Sequence, residues 1–445
     1  MKNLRNDALL IFQHALKAAD PFEAVMREVK VKGSCLTVGD RRYDLKNYRR
    51  IFTIGAGKGS APMAGAIETL LRDRITDGIV VVKDGYSIPA RKTLILEAGH
   101  PIPDKRGLEA ARKIIRLLKQ TDEDDLILVL ISGGGSALLP APLKGITLLD
   151  QKRVTGLLIG SGATIREINT IRKHISSLHG GRLAKLAYPS TVISLILSDV
   201  VGDPVDSIAS GPTAPDGTTF KDCIDVLEKY DLMKKTPPPV FRLLKRGCRS
   251  RASETPKKDD PAFRRTFNLI VGNNLRCLRA ASRKATELGY RTLILSAAIE
   301  GETRVVAGMH ASFAQEILRS GNPVQSPACI ISGGETTVTV KGRGLGGRNQ
   351  EFVLAAALNF GDTKNIVVLS AGTDGTDGPT DAAGAIADSG TIRRAKHHGM
   401  DARQFLDRND SHRFFKRLND LVITGPTFTN VMDIRILLAA AENTP

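Results

Sequence analysis

Short, continuously apolar runs punctuate the chain: RIFTI (50–54), GIVVV (78–82), TLILE (93–97), LILVLI (126–131), TVISLILS (191–198), FNLIV (267–271), RTLIL (291–295), ACIIS (328–332), IVVLS (366–370) and DLVIT (420–424). Helical patterns lie between many of them; KRGLEAARKIIRLLKQ, for example, puts Leu108, Ala111, Ile114, Ile115 and Leu118 on one face. Apolar strands separated by helices are the signature of parallel sheets covered on both sides, so the fold class is α/β. The main exception is TTVTV (336–340), whose alternation reads as an antiparallel or edge strand.

A chain of 445 residues exceeds what one hydrophobic core organises, and two domains are expected. The basic, Pro-rich segment KKTPPPVFRLLKRGCRSRASETPKKDDPAFRR has the composition of a linker or surface excursion, which places the boundary within 236–265. The expected division is a larger, Rossmann-like unit at 1–235 with a mainly parallel sheet, and a smaller α/β unit at 266–445 with some antiparallel strand. The last stretch, LVITGPTFTNVMDIRILLAA, reads as a strand and a helix that are free to pack back on the first unit.

The amino-terminal MKNLRNDALLIFQHALKAADPF sets Leu9, Phe12, Ala15 and Leu16 on one helical face and charges on the other. It has neither the apolar core and cleavage site of a signal peptide nor the roughly 20 apolar residues of a membrane span, so a cytoplasmic protein without a membrane partner is expected. Cysteines at 35, 223, 248, 277 and 329 form no C-x-x-C pair and no zinc-spaced cluster, which suits thiols in a reducing compartment. The net charge of +17 invites a basic nucleic-acid-binding protein as one reading. With no Trp and only 4% aromatic residues, few platforms exist for stacking bases, and a solvated basic face with no nucleic-acid partner is the preferred interpretation.

The loops after the strands are rich in Gly, Ser, Asp and Asn, and in open α/β sheets ligands bind outside the carboxyl ends of the strands. In GAGKGS, Gly55 and Gly57 are followed by Ser60 at the third fingerprint position, and no acidic residue stands about 20 residues on, so the dinucleotide motif is incomplete. The loop is either a tight turn with a solvated Lys58 or a cradle for an anion. SGGGSA offers the amides of Gly133, Gly134, Gly135 and Ser136, after Ser132, as a phosphate nest, with a structural turn as the alternative. The capping box Thr164/Glu167 opens a helix that brings Asn169, Arg172, Lys173 and His174 together near its first turns. Asp199, Asp203, Asp374, Asp377 and Asp381 sit at strand ends as turn formers or as hard oxygen ligands of the kind Mg²⁺ shares with phosphates. Glu335 follows Gly333 and Gly334, and Arg348 follows Gly346 and Gly347 at a helix start, well placed for bidentate recognition of a carboxylate or phosphate.

Taken in order, GAGKGS, AGHPIPD, ISGGGSALL, EINTIRKHIS, GGRLA, LSDVVGDPVDSIASGPT, SGGETTVTVKGRGLGGRNQEF, SAGTDGTDGPTDAAGAI and TGPTFTNVMD resemble the glycerate 2-kinase family, whose carboxy-terminal part is called the MOFRL domain, over nearly the whole chain. The resemblance implies ATP-dependent phosphorylation of D-glycerate to 2-phosphoglycerate with Mg²⁺ or another divalent cation, a cleft between two α/β domains, and Lys58 and Arg348 as active-site cations. A homo-oligomer is left open. On this expectation the SGGGSA amides, with Gly55 and Gly57, hold nucleotide phosphates and Lys58 neutralises transferring or substrate oxygens. Arg348 anchors the glycerate carboxylate with support from Asn349, Glu351, Glu335 and Arg172. Asp199 is the general base or a metal ligand, and Asp374 and Asp377 coordinate Mg²⁺ or shape their loop. Two residues depart from the family pattern: Phe428 stands where glycine is usual and Met432 where asparagine is usual. An NAD(P)H-dependent hydroxypyruvate reductase is the rival enzyme, and the incomplete fingerprint at Gly55 speaks against it.

Overall fold

The computed structural model describes residues 3–249 and 254–441. It divides into two units, Pro21–Val271 and Met1–Asp20 together with Gly272–Pro445. The boundary therefore lies not in 236–265 but at Val271–Gly272, and the amino-terminal helix belongs with the carboxy-terminal half.

In the Pro21–Val271 unit a three-stranded antiparallel ribbon, β1 (Val29–Lys32), β2 (Cys35–Val38) and β3 (Arg41–Asp44), precedes a six-stranded sheet. That sheet comprises β4 (Arg50–Ala56), β5 (Asp77–Lys83), β6 (Thr93–Ala98), β7 (Asp125–Ile131), β8 (Thr191–Leu197) and β9 (Thr266–Gly272). The spatial order is β6-β5-β4-β7-β8-β9, and the four pairings from β6 to β8 are parallel. Every residue of β7 and β8 is buried, as their unbroken apolar sequences require. The chain runs outward from β4 to β6, then returns to place β7 on the other side of β4. That reversal is the topological switch point, where a crevice opens at the carboxyl ends of the strands.

The helix Lys105–Leu118 shows how local sequence builds the covering layer. Asp104 caps it by accepting from the Gly107 amide at 3.1 Å, and Ala110, Ala111, Ile114 and Leu118 turn onto the sheet. A second, helical core forms where Val154 and Leu158 of the helix Leu148–Gly160 meet Ile171, Phe220, Leu227 and Leu244. The last of these lies in the segment expected to be a linker. Its prolines open a helix, Pro238–Gly247, whose Val240 and Leu244 are fully buried. Further on, Asp260 pairs with Lys185, and Arg265 donates to the Glu123 carbonyl, so this stretch is built into the unit; residues 250–253 of it lie outside the described residues.

The second unit carries a mixed sheet of β10 (Arg291–Ile299), β11 (Ala328–Gly334), β12 (Ile366–Gly372), β13 (Gly384–Asp388), β14 (Leu421–Val422) and β15 (Asp433–Ala439), in the order β10-β11-β15-β12-β13-β14. Only the β10–β11 pair is parallel; β15 inserts antiparallel between β11 and β12. The expected terminal helix is thus a strand, and it completes its own unit's sheet rather than packing on the other. TTVTV forms no strand either: its one ladder contact is a bridge from Thr337 to Glu302. The amino-terminal helix Leu4–Ala18 buries Ile11, Phe12 and Ala15, while Arg5 reaches Asp388 and Asp420 at 2.5 Å each. No described helix is long and apolar enough to cross a membrane.

The turn that leads into β15 is unusual in its backbone. Phe428 and Met432, the two departures from the family pattern, have φ of 56° and 68°, the left-handed region that glycine and asparagine tolerate best. A side chain there costs about 1 kcal/mol in strain. Removing the ring in two ways isolates this term: Phe428→Gly should be more stable than Phe428→Ala by about 1 kcal/mol in denaturant unfolding, the reverse of the usual order. Equal stabilities would show that the backbone is relaxed. A second expectation concerns acid. Buried His310 donates from Nδ1 to the Val306 carbonyl (2.8 Å) and faces the Ser332 hydroxyl with Nε2 (2.8 Å), and burial drives its pKa down to about 4. The unfolded chain binds this proton near pH 6.5 and the native state does not, so stability is full above pH 6.5 and falls as pH drops towards 4. The loss should be smaller in His310→Gln; an identical pH slope would refute the assignment.

Candidate functional site

The carboxyl ends of β4, β7 and β8 lie side by side in the first unit, so the topology gathers Lys58, the Ser132–Ser136 loop and Asp199. Two of these loops are tied together. Ser132 is fully buried; its Oγ accepts from the Gly59 amide (2.8 Å) and lies 3.2 Å from Ser60 Oγ, which itself donates to the Leu130 carbonyl (3.1 Å). The Lys58 amide donates to the Gly133 carbonyl (2.9 Å), and the Lys58 side chain is buried. Gly57 is glycine because a Cβ would collide with Ser132 Oγ, so this glycine serves the approach of the two loops. Gly55 likewise presses against Leu130 of β7.

The glycine loop itself turns at Gly134, whose φ is 89° and over which the His100 ring lies. Gly135 donates to the Ser132 carbonyl (3.3 Å), whereas the amides of Gly133 and Gly134 meet no acceptor among the described residues. Ser136 Oγ lies 2.8 Å from Ser210 Oγ, and Ser210 donates to Asn169 Oδ1 (3.0 Å). The next turns therefore hang on a chain of buried hydroxyl and amide groups. Asp199 stands half-buried two residues beyond β8.

The capped helix Ile165–His174 forms as its sequence requires, with Thr164 and Glu167 bonded reciprocally. Its polar residues behave differently from the expected solvated face: Asn169, Lys173 and His174 are all buried, and Arg172, Lys173 and His174 occupy the last turn rather than the first. Partners then sort them. Lys173 pairs with Asp206 (3.4 Å) and Asp216 (3.3 Å), and His174 with Glu254 (2.8 Å). Arg172 has no carboxylate among the described residues, and burial lowers the pKa of its guanidinium. It lines, with Ser136 and His179, a cavity of about 330 Å³ beside the glycine loop. His179 was not singled out in the sequence; the signal was its place in SLHGGR, directly after the capped helix.

In the second unit the site residues converge on Asp433, the first residue of β15, which stands in register with Gly334 at the end of β11 and Gly372 at the end of β12. Arg348 grips this fully buried carboxylate with Nε (2.7 Å) and Nη2 (2.9 Å), and its Nη1 meets Glu335 at 3.0 Å. Burial disfavours the Arg348 charge, but Asp433 more than offsets it, so the guanidinium holds its proton more firmly than a free arginine. Asn349 donates to Asp433 (2.9 Å) and Asp377 (3.2 Å), while the Ser370 hydroxyl donates to its carbonyl oxygen (2.6 Å).

Asp377 caps the helix Arg348–Phe360 from a distant loop. Its two oxygens accept from the amides of Asn349 (3.0 Å) and Gln350 (2.9 Å) and from both side-chain carboxamides, and burial raises its pKa to about 6. Such a carboxylate has no lone pair to offer a metal, and of the two roles expected for it the geometry fits loop shaping. Asp374 accepts from the Thr376 amide and hydroxyl at 3.1 Å each. No group of three His, Cys, Asp or Glu side chains able to hold a metal occurs among the described residues. Glu351 turns away from Arg348 to Arg304 (2.7 Å) and Asn409 (3.0 Å). Asp433 and Arg435, the latter also bonded to Asp433 (3.3 Å), were overlooked as site residues in the sequence although Asp433 closes the TNVMD motif.

A family model described as a domain of unknown function, DUF4147, matches residues 7–245, and the MOFRL family model matches residues 328–433. The chain is 41% identical to the glycerate 2-kinase of Pyrococcus horikoshii over 99% of its own length and 98% of that protein's. It is 42% identical to an Agrobacterium vitis protein provisionally named a hydroxypyruvate reductase, over 87% of this chain and 99% of that one. The crystal structure of glycerate kinase from Thermotoga maritima superposes with a TM-score of 0.86 at 39% identity, covering 98% of this chain and 99% of that one. With the same motifs on the same two-domain α/β fold, the chain belongs to the glycerate 2-kinase family.

Proposed function

We propose that the protein transfers the terminal phosphoryl group of ATP to the 2-hydroxyl of D-glycerate, giving 2-phosphoglycerate. The observation that carries this reading is a set of unmatched anion-seeking groups at a sheet switch point: the open amides of Gly133 and Gly134 and the carboxylate-free Arg172, beside buried Lys58. Phosphoryl transfer asks a protein mainly for positioning and charge neutralisation, because the substrate brings its own nucleophilic hydroxyl. In this reading the amides hold phosphate oxygens, Arg172 binds an anionic group and Lys58 neutralises charge on the transferring group. Asp199 is the general base or the carboxylate that receives a divalent cation. A Mg²⁺ ion brought by the triphosphate would supply further neutralisation, retaining waters where protein ligands are few. Asp374, which accepts from Thr376 in its own turn, is a metal ligand or shapes its loop. Arg348 meets the glycerate carboxylate through the N–H groups that Asp433 and Glu335 leave open.

Incubation with ATP, Mg²⁺ and D-glycerate followed by phosphorus NMR should show 2-phosphoglycerate. A 3-phosphoglycerate signal would retain the kinase and overturn the substrate orientation, and NADH oxidation with hydroxypyruvate in place of either would support the reductase. Lys58→Ala and Arg172→Ala should each lower kcat/KM by roughly 10²-fold or more while far-UV circular dichroism stays unchanged. A folded variant with near-normal turnover would remove that residue from the chemistry.

A further inference from the structure

The basic stretch after Thr236 has no part in the phosphoryl transfer, although its helix is built into the first unit. That helix, Pro238–Gly247, reads PPVFRLLKRG and holds no acidic residue. Arg242, Lys245, Arg246 and, in the turn that closes it, Arg249 stand three or four residues apart, the spacing at which like charges on one helix repel. The neighbouring helix Phe220–Lys229 shows the compensated arrangement, with Asp225 pairing Lys221 four residues away at 2.7 Å. Among the described residues no carboxylate pairs with any of the four cations.

The dipole of a helix attracts cations to its carboxyl end, which accounts for Lys245 and Arg246 in the last turn. It accounts neither for Arg242, a turn earlier, nor for Lys144, which a separate loop brings to the same place. The Leu143 amide is anchored on the Ile175 carbonyl (3.0 Å), and a turn closes from the Ile146 amide to the Leu143 carbonyl (3.0 Å), with Gly145 supplying a φ of 91°. Ile146 and Leu244 then share the helical core, which fixes the loop against the helix. Between the two lies a groove of about 750 Å³, lined by Lys144, Arg242, Lys245, Arg246 and Arg249 with Phe241 as apolar wall, and no carboxylate lines it. It shares no lining residue with the cavity beside the glycine loop.

We propose that this groove binds a small anion carrying several phosphate groups, at a site separate from the glycine loop. Five cations held without carboxylates call for an occupant of several negative charges, and a volume within the range of small-molecule sites calls for a compact one. The cations stand on two walls. Phosphate oxygens point in several directions and can meet both walls, whereas a carboxylate presents two oxygens in one plane and is served by a single arginine fork.

Isothermal titration of the full-length protein with inorganic tripolyphosphate, at low and at physiological ionic strength, tests the groove. Arg242→Ala/Arg246→Ala and Lys144→Ala change exposed side chains on its two walls, so both variants should keep the wild-type circular dichroism. Wild type should show a binding event that weakens as salt rises. The double variant should weaken that event about tenfold or more and Lys144→Ala about threefold, whereas Arg172→Ala, in the other cavity, should leave it within about twofold. Turnover of ATP with D-glycerate should stay within about twofold of wild type in both groove variants. No tripolyphosphate binding by wild type, or binding that only Arg172→Ala weakens, would overturn the site. Citrate held as tightly would overturn the preference for phosphate, and a single-stranded RNA held more tightly through the same residues would replace the small anion with a nucleic acid.

Discussion

The second unit is organised around one buried charge, the Asp433 carboxylate. A carboxylate with no solvent contact is tolerable only if cations and N–H donors surround it, and here Arg348, Arg435 and Asn349 do so. Arg435 is itself buried and stacks on Phe352 with its guanidinium carbon 5.4 Å from the ring centre. Removing Asp433 would leave two guanidinium groups facing each other in a low-dielectric interior, so the residue fixes more than its own position. The insertion of β15 between β11 and β12 follows from the same demand, because it is the antiparallel register that brings Asp433 to the ends of both strands.

Delivering Asp433 to that position explains the strained turn before it. Thr373 clamps the turn twice, accepting from the Val431 amide (2.8 Å) and donating to the Met432 carbonyl (2.7 Å), and the Thr429 hydroxyl donates to the Ala19 carbonyl (2.7 Å). Bonds of this kind over-determine the backbone and hold Phe428 and Met432 in a conformation that their side chains oppose. Glycine and asparagine, usual at these positions in the family, would adopt it freely. The reaction class does not depend on that difference; the rigidity with which Arg348 is presented does.

The α/β class, the cut of the strands and the helix capped by Thr164 were legible because each is encoded locally, by apolar continuity or by a cap four residues long. What stayed hidden depends on partners distant in sequence. Pro238 looks like linker composition until Leu244 finds Phe220, and the last strand looks helical in isolation because RILLAA carries good helix formers. The amino-terminal helix shows no local sign that Arg5 pairs with Asp388 and Asp420, nearly the whole chain away. Long-range pairing overrides propensity at these places, and a pattern read along the chain has no access to it.

The same distinction decides which polar residues are chemical. Read locally, Arg172, Lys173 and His174 are equivalent, a basic run at the end of one helix. Asp206 and Asp216 pair with the second and Glu254 bonds the third, so those two hold the fold together. Arg172 alone among them faces a cavity without a carboxylate, and a desolvated cation in such surroundings favours an anionic ligand over water. Asp377 shows the converse. Its sequence surroundings suggest a metal ligand, yet four N–H donors saturate it and its work is to close a helix. A residue's availability for chemistry is what remains once its structural obligations are met, and by that measure the first unit's glycine-loop amides and Arg172 are where substrate oxygens have groups left to meet.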